Sequence, residues 1–407
     1  MSRRWGLVPL VAGVGSAGYV VVKAWLSTWH HHLLDFSVYM MGAHHLADGR
    51  LYVATLPTSP HLPFTYPPFA ALAFAPLALI PLEWSQLSWI LLTVESLFAI
   101  VALSLRAMRP GLPRAQLLLW SLVAMAPAYR FEPVLLTFAY GQVNLMLVAL
   151  ALADLTCDLR VIGREVPRGV LVGVIAAVKL TPLVFVPYLF ITRQVRAGWI
   201  ALSSFLACSL VAWAIDPSVT WSYWTKYADD AQRIGNVFDV SNQSLRGVAD
   251  RLVHHVAPAG LVIVGTAVVL VAGLALARWA WQTSSNFLGL LVCAATGLVV
   301  SPISWAHHFV WAVPVVLWLA FAPDRPAFGR VWALGATAFF WIAPIWKVPN
   351  GENRELAEHG WQLLVGNSFL GVTVLFLLCI ALMLARRSRA RRADRALESP
   401  PLTRCEV

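Results

Sequence analysis

Residues 5–40 read WGLVPLVAGVGSAGYVVVKAWLSTWHHHLLDFSVYM, and this stretch decides how the rest of the chain is read. Its first part, Trp5 to Trp25, is apolar over about the 20 residues that a helix needs to cross a bilayer. No small-residue cleavage site precedes Trp29 and His30, so the run reads as a retained span rather than a removed leader. The polar break that follows carries Asp35, just outside the membrane, where an enzyme acting on lipid-borne substrates would hold its base. A plainer reading makes Asp35 the N-cap of an interfacial amphipathic helix over Phe36 to Ala47, with Val38, Met41 and Leu46 at helical spacing. Capping does not exclude catalysis, and both readings stand.

The composition agrees with a membrane protein: 59% of residues are hydrophobic and 12% charged. The net charge of +10 does not point to nucleic acid, because the excess is Arg beside the ends of apolar runs and in the tail after Ala385. The five cysteines show no disulfide or zinc spacing. Apolar segments lie near 5–27, 67–81, 84–105, 115–130, 138–155, 169–192, 198–215, 259–281, 286–301, 308–322, 330–345 and 366–385. Backbone polar groups in lipid must be satisfied within each segment, so these are helices, about twelve crossings at about 20 residues each. The chain is expected to be an all-α polytopic membrane protein with a transmembrane catalytic domain over 1–385 and a basic cytoplasmic tail over 386–407. Its outer loops fall at about 28–66, 216–258 and 346–365, and both termini are cytoplasmic.

A simple count puts the basic loops Arg106–Arg114 and Arg160–Arg168 on the wrong side. The conflict disappears if 67–105 makes one net crossing and 169–192 breaks at Lys179-Leu180-Thr181-Pro182 into two half-spans. Lys179 and the loop Tyr140-Gly141-Gln142 then come to the outer side, beside Asp35. A lysine facing lipid at mid-bilayer costs about 2.5 to 3.5 kcal/mol, so Lys179 either snorkels from a helix end or faces a cavity and an anion such as a lipid-linked phosphate. All eleven histidines fall in segments assigned to the outer face or its boundary. His307 and His308 start a span after the Ser301-Pro302 break and suit phosphate stabilisation better than metal, since adjacent residues point to different faces of a helix. In the second outer loop, Asn242, Gln243 and Arg246 offer groups for sugar hydroxyls and phosphate, or form an ordinary solvated loop. Tyr39, Tyr66 and Gln142 are candidate substrate-binding residues. Glu132 is expected to pair with Arg130, and Glu95 needs a partner or a proton.

Taken together, DFSVYMMGAHHLADGRLY (35–52), FTYPPFAALAFAPLALIP (64–81), YGQVNLMLVALALAD (140–154), GVIAAVKLTP (173–182), NQSLRG (242–247) and SPISWAHH (301–308) resemble glycosyltransferase family 87 of the GT-C superfamily. The resemblance runs over most of the chain. It implies a GT-C fold and an inverting enzyme of the bacterial inner membrane, with Asp35 as base on the outer side. Mannose would pass from polyprenyl-phosphate mannose to a phosphatidylinositol mannoside, tetramannoside to pentamannoside, in alpha-1,2 linkage. Branching of lipomannan, or arabinofuranosyl transfer from polyprenyl-phosphoryl-arabinose, remain alternatives within the family. Lys179, His307, His308 and Arg246 would stabilise the leaving phosphate, and neither a nucleotide cofactor nor a metal is implied. A lipid-linked sugar transporter is the rival from another class; it predicts an inverted repeat, which is not found, and a midplane site. An enzyme instead requires Asp35, Lys179 and His308 to meet in one outer-facing cavity.

Overall fold

A computed structural model describes residues 3–31 and 33–398; His32 and the last tail residues, with Cys405, lie outside them. The first half of the chain forms helices α1 (Arg3–His31), α2 (Leu34–His44), α3 (Pro68–Ala78), α4 (Leu82–Met108) and α5 (Arg114–Tyr129). It continues through α6 (Glu132–Tyr140), α7 (Asn144–Thr156), α8 (Val170–Val178), α9 (Phe185–Ile191) and α10 (Val195–Ile215). The longer helices beyond are Ala259–Thr283, Asn286–Val300, Ala312–Phe321, Gly329–Ile342 and Ser368–Glu398. Among the described residues the sole sheet is a two-stranded hairpin pairing Arg160–Val161 with Arg164–Glu165, in the basic loop.

The helices are all-α as expected, but the expected number of crossings is not reproduced. Among the described residues, five are long and apolar enough to span a membrane: Val8–Leu26, Leu82–Met108, Val195–Ile215, Ala259–Thr283 and Ser368–Arg391. Together α6 and α7 make a sixth candidate, bent by 116° at the Gly141 turn. The other apolar runs are short, because prolines interrupt them: Pro81 ahead of α4, Pro182 after α8, Pro302 after Asn286–Val300. Such broken helices are tolerated at membrane depth where neighbouring protein covers them. The fully helical spans instead carry bare apolar faces, such as Val264, Val268 and Val271 on Ala259–Thr283.

The break foreseen at Lys179 is present. Helix α8 ends at Val178, Lys179 is extended at φ −149° and ψ 128°, and a one-turn 3-10 helix, Thr181–Val184, leads into α9. What seats α8 was not foreseen. Gly169 and Gly173 line the side of α8 that meets Ala197 and Ala201 of α10, the small-residue packing by which membrane helices approach closely. A Cβ on Gly173 would stand 2.2 Å from the Ala201 carbonyl oxygen.

Three expectations are corrected. Asp35 does not cap α2: the N-cap is Leu33, in the left-handed region at φ 44°, and Asp35 lies inside the first turn with no capping bond. Nor is α2 a surface amphipathic helix, since Phe36, Val38, Tyr39, Met40, Gly42 and Ala43 are buried and Phe64 closes directly over Gly42. Glu132 bonds the Trp346 indole rather than Arg130, because it opens α6 where the third outer loop folds back over that helix. From Arg386 the Ala- and Arg-rich sequence continues the last helix to Glu398. Glu95 lies on an exposed face of α4, without an ion pair among the described residues.

Gly-to-Ala inside a helix usually gains about 0.5–1 kcal/mol. At Gly173 the sign reverses: Gly173→Ala is expected to lose about 1–3 kcal/mol, because a backbone carbonyl must move to admit the methyl group. Thermal unfolding of the purified chain in detergent measures this, and an unchanged or raised midpoint would refute the close helix contact.

Candidate active site

Gly141 is where the site begins. At φ 67° and ψ 40° it ends α6 and turns the chain into α7, and α2 packs so close that a Cβ there would meet Phe36 at 2.8 Å. The Trp89 indole, from α4, holds the Gly141 carbonyl at 2.9 Å. The turn releases Gln142 from the helical ladder and aims its side chain at Asp35. Its Oε1 accepts from the hydroxyls of Tyr39 at 3.0 Å and Tyr66 at 3.4 Å, which leaves the Gln142 amide N–H groups for the Asp35 carboxylate. Burial pushes the Asp35 carboxyl up to about 6; the Gln142 hydrogen bond and the positive charge of Lys179 favour the anion and offset only part of that rise.

Lys179 forms the second pole. Released by the break after α8, its Nζ donates to Asn144 Oδ1 at 2.9 Å and to His308 Nε2 at 2.9 Å, with the Tyr66 ring centroid 5.5 Å away. An ammonium has three donors, so one remains for a ligand. His308 must accept at Nε2, which puts its own proton on Nδ1, a buried atom without a partner. The Asn144 amide reaches across to the His307 carbonyl at 3.0 Å and thereby couples α7 to the 3-10 segment Ala306–Trp311. His307 Nε2 is likewise buried and unpartnered.

Asp35, Tyr66, Gln142, Lys179, His307 and His308 all line one cavity of about 500 Å³. Its remaining wall is mixed. Leu180, Leu183, Val184, Pro187, Leu270 and Val300 make an apolar flank, and Tyr223, Tyr227, Arg233 and Trp305 come from the outer loops and their boundary. The arrangement sets a half-buried carboxylate near an ammonium and two imidazoles, with hydrocarbon leading away from them. That is the convergence an enzyme of lipid-linked substrates requires.

Four expected site residues are not on this wall. Tyr39 is fully buried and acts through Gln142. Asn242 and Gln243 are also fully buried: the Gln243 amide N–H bridges Gly366 and Val240, its carbonyl accepts from Phe369 and Leu370, and Asn242 Oδ1 accepts from Ser304. They brace the segment that carries the histidines. Arg246 sits half-buried on the helix Leu245–Leu252, away from the cavity, and the buried guanidinium nearby is Arg251, spent on Asn367 and loop carbonyls. Asn144 and Arg233 were missed. Asn144 stands two residues after Gln142 within one motif, a signal that was available; Arg233 had none, because a loop arginine carries no pattern of its own.

Residues 64–302 match the family model of glycosyltransferase family 87. The chain is 32% identical over 417 aligned positions, covering 98% of it, to a protein of Mycobacterium tuberculosis that is named a polyprenol-phosphate-mannose-dependent alpha-(1-2)-phosphatidylinositol mannoside mannosyltransferase and covered over 95% of its own length. A Mycolicibacterium smegmatis protein of the same name is 32% identical, with 91% of this chain and 88% of that one covered. Another from that organism, named as the corresponding pentamannoside mannosyltransferase, is 36% identical over 71% of this chain and 70% of its own. No solved structure matches.

The Gln142 amide is one of the groups that favour the Asp35 anion, so removing it raises the carboxyl further. Infrared titration, as the difference between the wild type and Asp35→Asn, should show the Asp35 carboxyl titrating near 6. In a Gln142→Leu background the midpoint should move to higher pH, and a fall would contradict the geometry.

Proposed function

The chain belongs to glycosyltransferase family 87, and from that premise we propose that it transfers mannose from polyprenyl-phosphate mannose to a phosphatidylinositol mannoside, with Asp35 as general base. The observation that carries the reading is the meeting of Asp35 with Lys179, His307 and His308 in one cavity that has an apolar flank. The names of the relatives support the donor, the acceptor class and the alpha-1,2 linkage. Within that class we infer a phosphatidylinositol tetramannoside, extended to the pentamannoside.

The step is a single displacement. The acceptor hydroxyl proton passes to the Asp35 carboxylate as the oxygen bonds to the anomeric carbon. The bond from that carbon to the phosphate oxygen breaks on the opposite face, with inversion, and the electron pair leaves on polyprenyl phosphate. Polyprenyl phosphate, the monoester released from the phosphodiester donor, needs no proton to leave, but its charge grows in the transition state. The spare Lys179 donor, with His307 and His308 beside it on the cavity wall, is available to that charge as it develops. Being held already by Asn144, the ammonium need not reorganise during the step. Leu180, Leu183, Leu270 and Val300 suit the isoprenoid tail of the carrier.

In the bilayer the cavity opens to the outer side of the bacterial inner membrane and both termini are cytoplasmic, which puts the Arg-rich loops and tail inside. Paired half-helices, such as α8 with α9, would complete about twelve crossings at the lengths a bilayer requires.

Transfer from polyprenyl-phosphate mannose to purified phosphatidylinositol tetramannoside in nanodiscs tests the whole reading. The wild type is expected to make the pentamannoside, and Asp35→Asn to lose about 10²–10⁴-fold in rate, the usual worth of a general base. An Asp35→Asn enzyme of wild-type rate removes the base assignment. Unfolding is a separable cause. The folded Asp35 carboxyl titrates near 6 and the free group near 3.8, so the folded state holds its proton more tightly. The charge therefore costs stability as pH rises between those values, and the full cost persists above them. Asp35→Asn removes that cost, so its melting temperature at pH 8 should equal or exceed that of the wild type. For the wild type, the ionised base requires kcat/KM to rise with pH through about 6 and level off above it.

A further inference from the structure

A second cation stands in the cavity wall, outside the chemistry above. Arg233, on the one-turn helix Ala231–Ile234 of the second outer loop, donates through Nη2 to the backbone carbonyls of Tyr52 and Phe64. Its guanidinium carbon lies 4.5 Å from the ring centroid of Tyr227 and 5.9 Å from that of Tyr52. The rings also pack on one another: Tyr52 lies 5.0 Å from Tyr227, tilted by 38°, and stacks nearly parallel at 24°, 5.5 Å from Tyr223. No carboxylate comes within ion-pairing distance of Arg233 among the described residues, and Nε has no partner. The guanidinium is thus pinned by ring faces and carbonyls, while its other donors are unspent. Phe64, whose carbonyl it reaches, packs on Gly42, and Gly42 is two helical turns, about 10 Å, along α2 from Asp35.

A planar fork of donors beside aromatic faces matches a pyranose, which presents vicinal hydroxyls at its edge and C–H groups on its face. Arg233 and Asp35 line the same cavity, so an acceptor saccharide held at the guanidinium can extend to the base. We propose that Arg233, with Tyr227 and Tyr223, forms a subsite for the acceptor sugar that precedes the one receiving the new mannose. It binds saccharide rather than phosphate, and it sets how many sugars an acceptor must carry to be held. The proposal rests on the glycosyl-transfer reading of the same cavity.

The test is binding of phosphate-free alpha-linked mannotriose to the full-length protein in nanodiscs, followed by saturation-transfer NMR, with maltotriose and inorganic phosphate as the other probes. The wild type is expected to bind mannotriose in preference to maltotriose. Arg233→Gln should weaken that binding about tenfold, as loss of a charge-assisted hydrogen bond does. Tyr227→Leu should weaken it by a similar factor through loss of the ring face, and because it leaves the carbonyl bonds of Arg233 in place it serves if Arg233→Gln does not fold. In the transfer assay both variants should raise the acceptor KM, with the effect on KM exceeding that on kcat and the donor KM held. Equal mannotriose binding by wild type and both variants overturns the proposal. So does a loss at Arg233→Gln that falls on inorganic phosphate or on the donor KM, which would make the guanidinium a phosphodiester site. A wild type that binds mannotriose through Arg233 but transfers no mannose upholds the subsite and overturns the donor assignment alone.

Discussion

The Lys179 ammonium must find polar partners in the middle of a run that is otherwise hydrocarbon, and much of the molecule is arranged to supply them. Two come from distant parts of the chain, Asn144 at the start of α7 and His308 in the 3-10 segment after Pro302. Each is available only because the helix that would have carried it past is interrupted, at Gly141 in one case and at Ser301-Pro302 in the other. The lysine escapes its own helix by the break at Thr181-Pro182. Three interrupted apolar segments therefore meet at one cation. Unbroken helices would have left a bare charge in lipid, at a cost of about 2.5–3.5 kcal/mol or more.

The same interruptions make the cavity. Broken spans cannot pack along their whole length, and the loops that join them fill the space between their ends. The segment Asp239–Ser244 is buried against Ser301–Ser304 through Asn242, Gln243 and Ser244, and this bracing holds the two histidines where the lysine requires them. Asp35 reaches the cavity from the opposite direction, on a helix held by aromatic contacts among Tyr39, Phe74 and Trp89. Among the described residues, its carboxylate is not neutralised by an ion pair. It is supported by one amide whose orientation two tyrosine hydroxyls set, and such support leaves a base partly desolvated and able to take a proton.

Polar residues read from the outer loops divide by burial. Those that looked most suited to a substrate, Asn242 and Gln243, are consumed by backbone groups, because an irregular loop packed at the membrane boundary has many unpaired amides and carbonyls to satisfy. Arg233, in a stretch without pattern, is the one left with unspent donors beside the cavity. Side-chain chemistry is visible in a sequence; whether a neighbouring backbone claims it is not.

By itself the sequence determined the helical class, the break at Lys179 and the candidacy of Asp35, Lys179 and the two histidines, but not the number of crossings. Each of these follows from local rules: the length of an apolar run, the effect of proline, and the cost of a charge in lipid. Only the tertiary structure decided which groups touch. That α2 would be buried rather than interfacial, that Asp35 would be relieved of capping, and that Asn144 rather than Arg246 would serve the site all depend on packing between segments far apart in the chain. Residue spacing constrains neighbours one or two turns away, whereas a cavity is bounded by whatever surfaces the close approach of helices, such as α8 on α10 through Gly173, brings together.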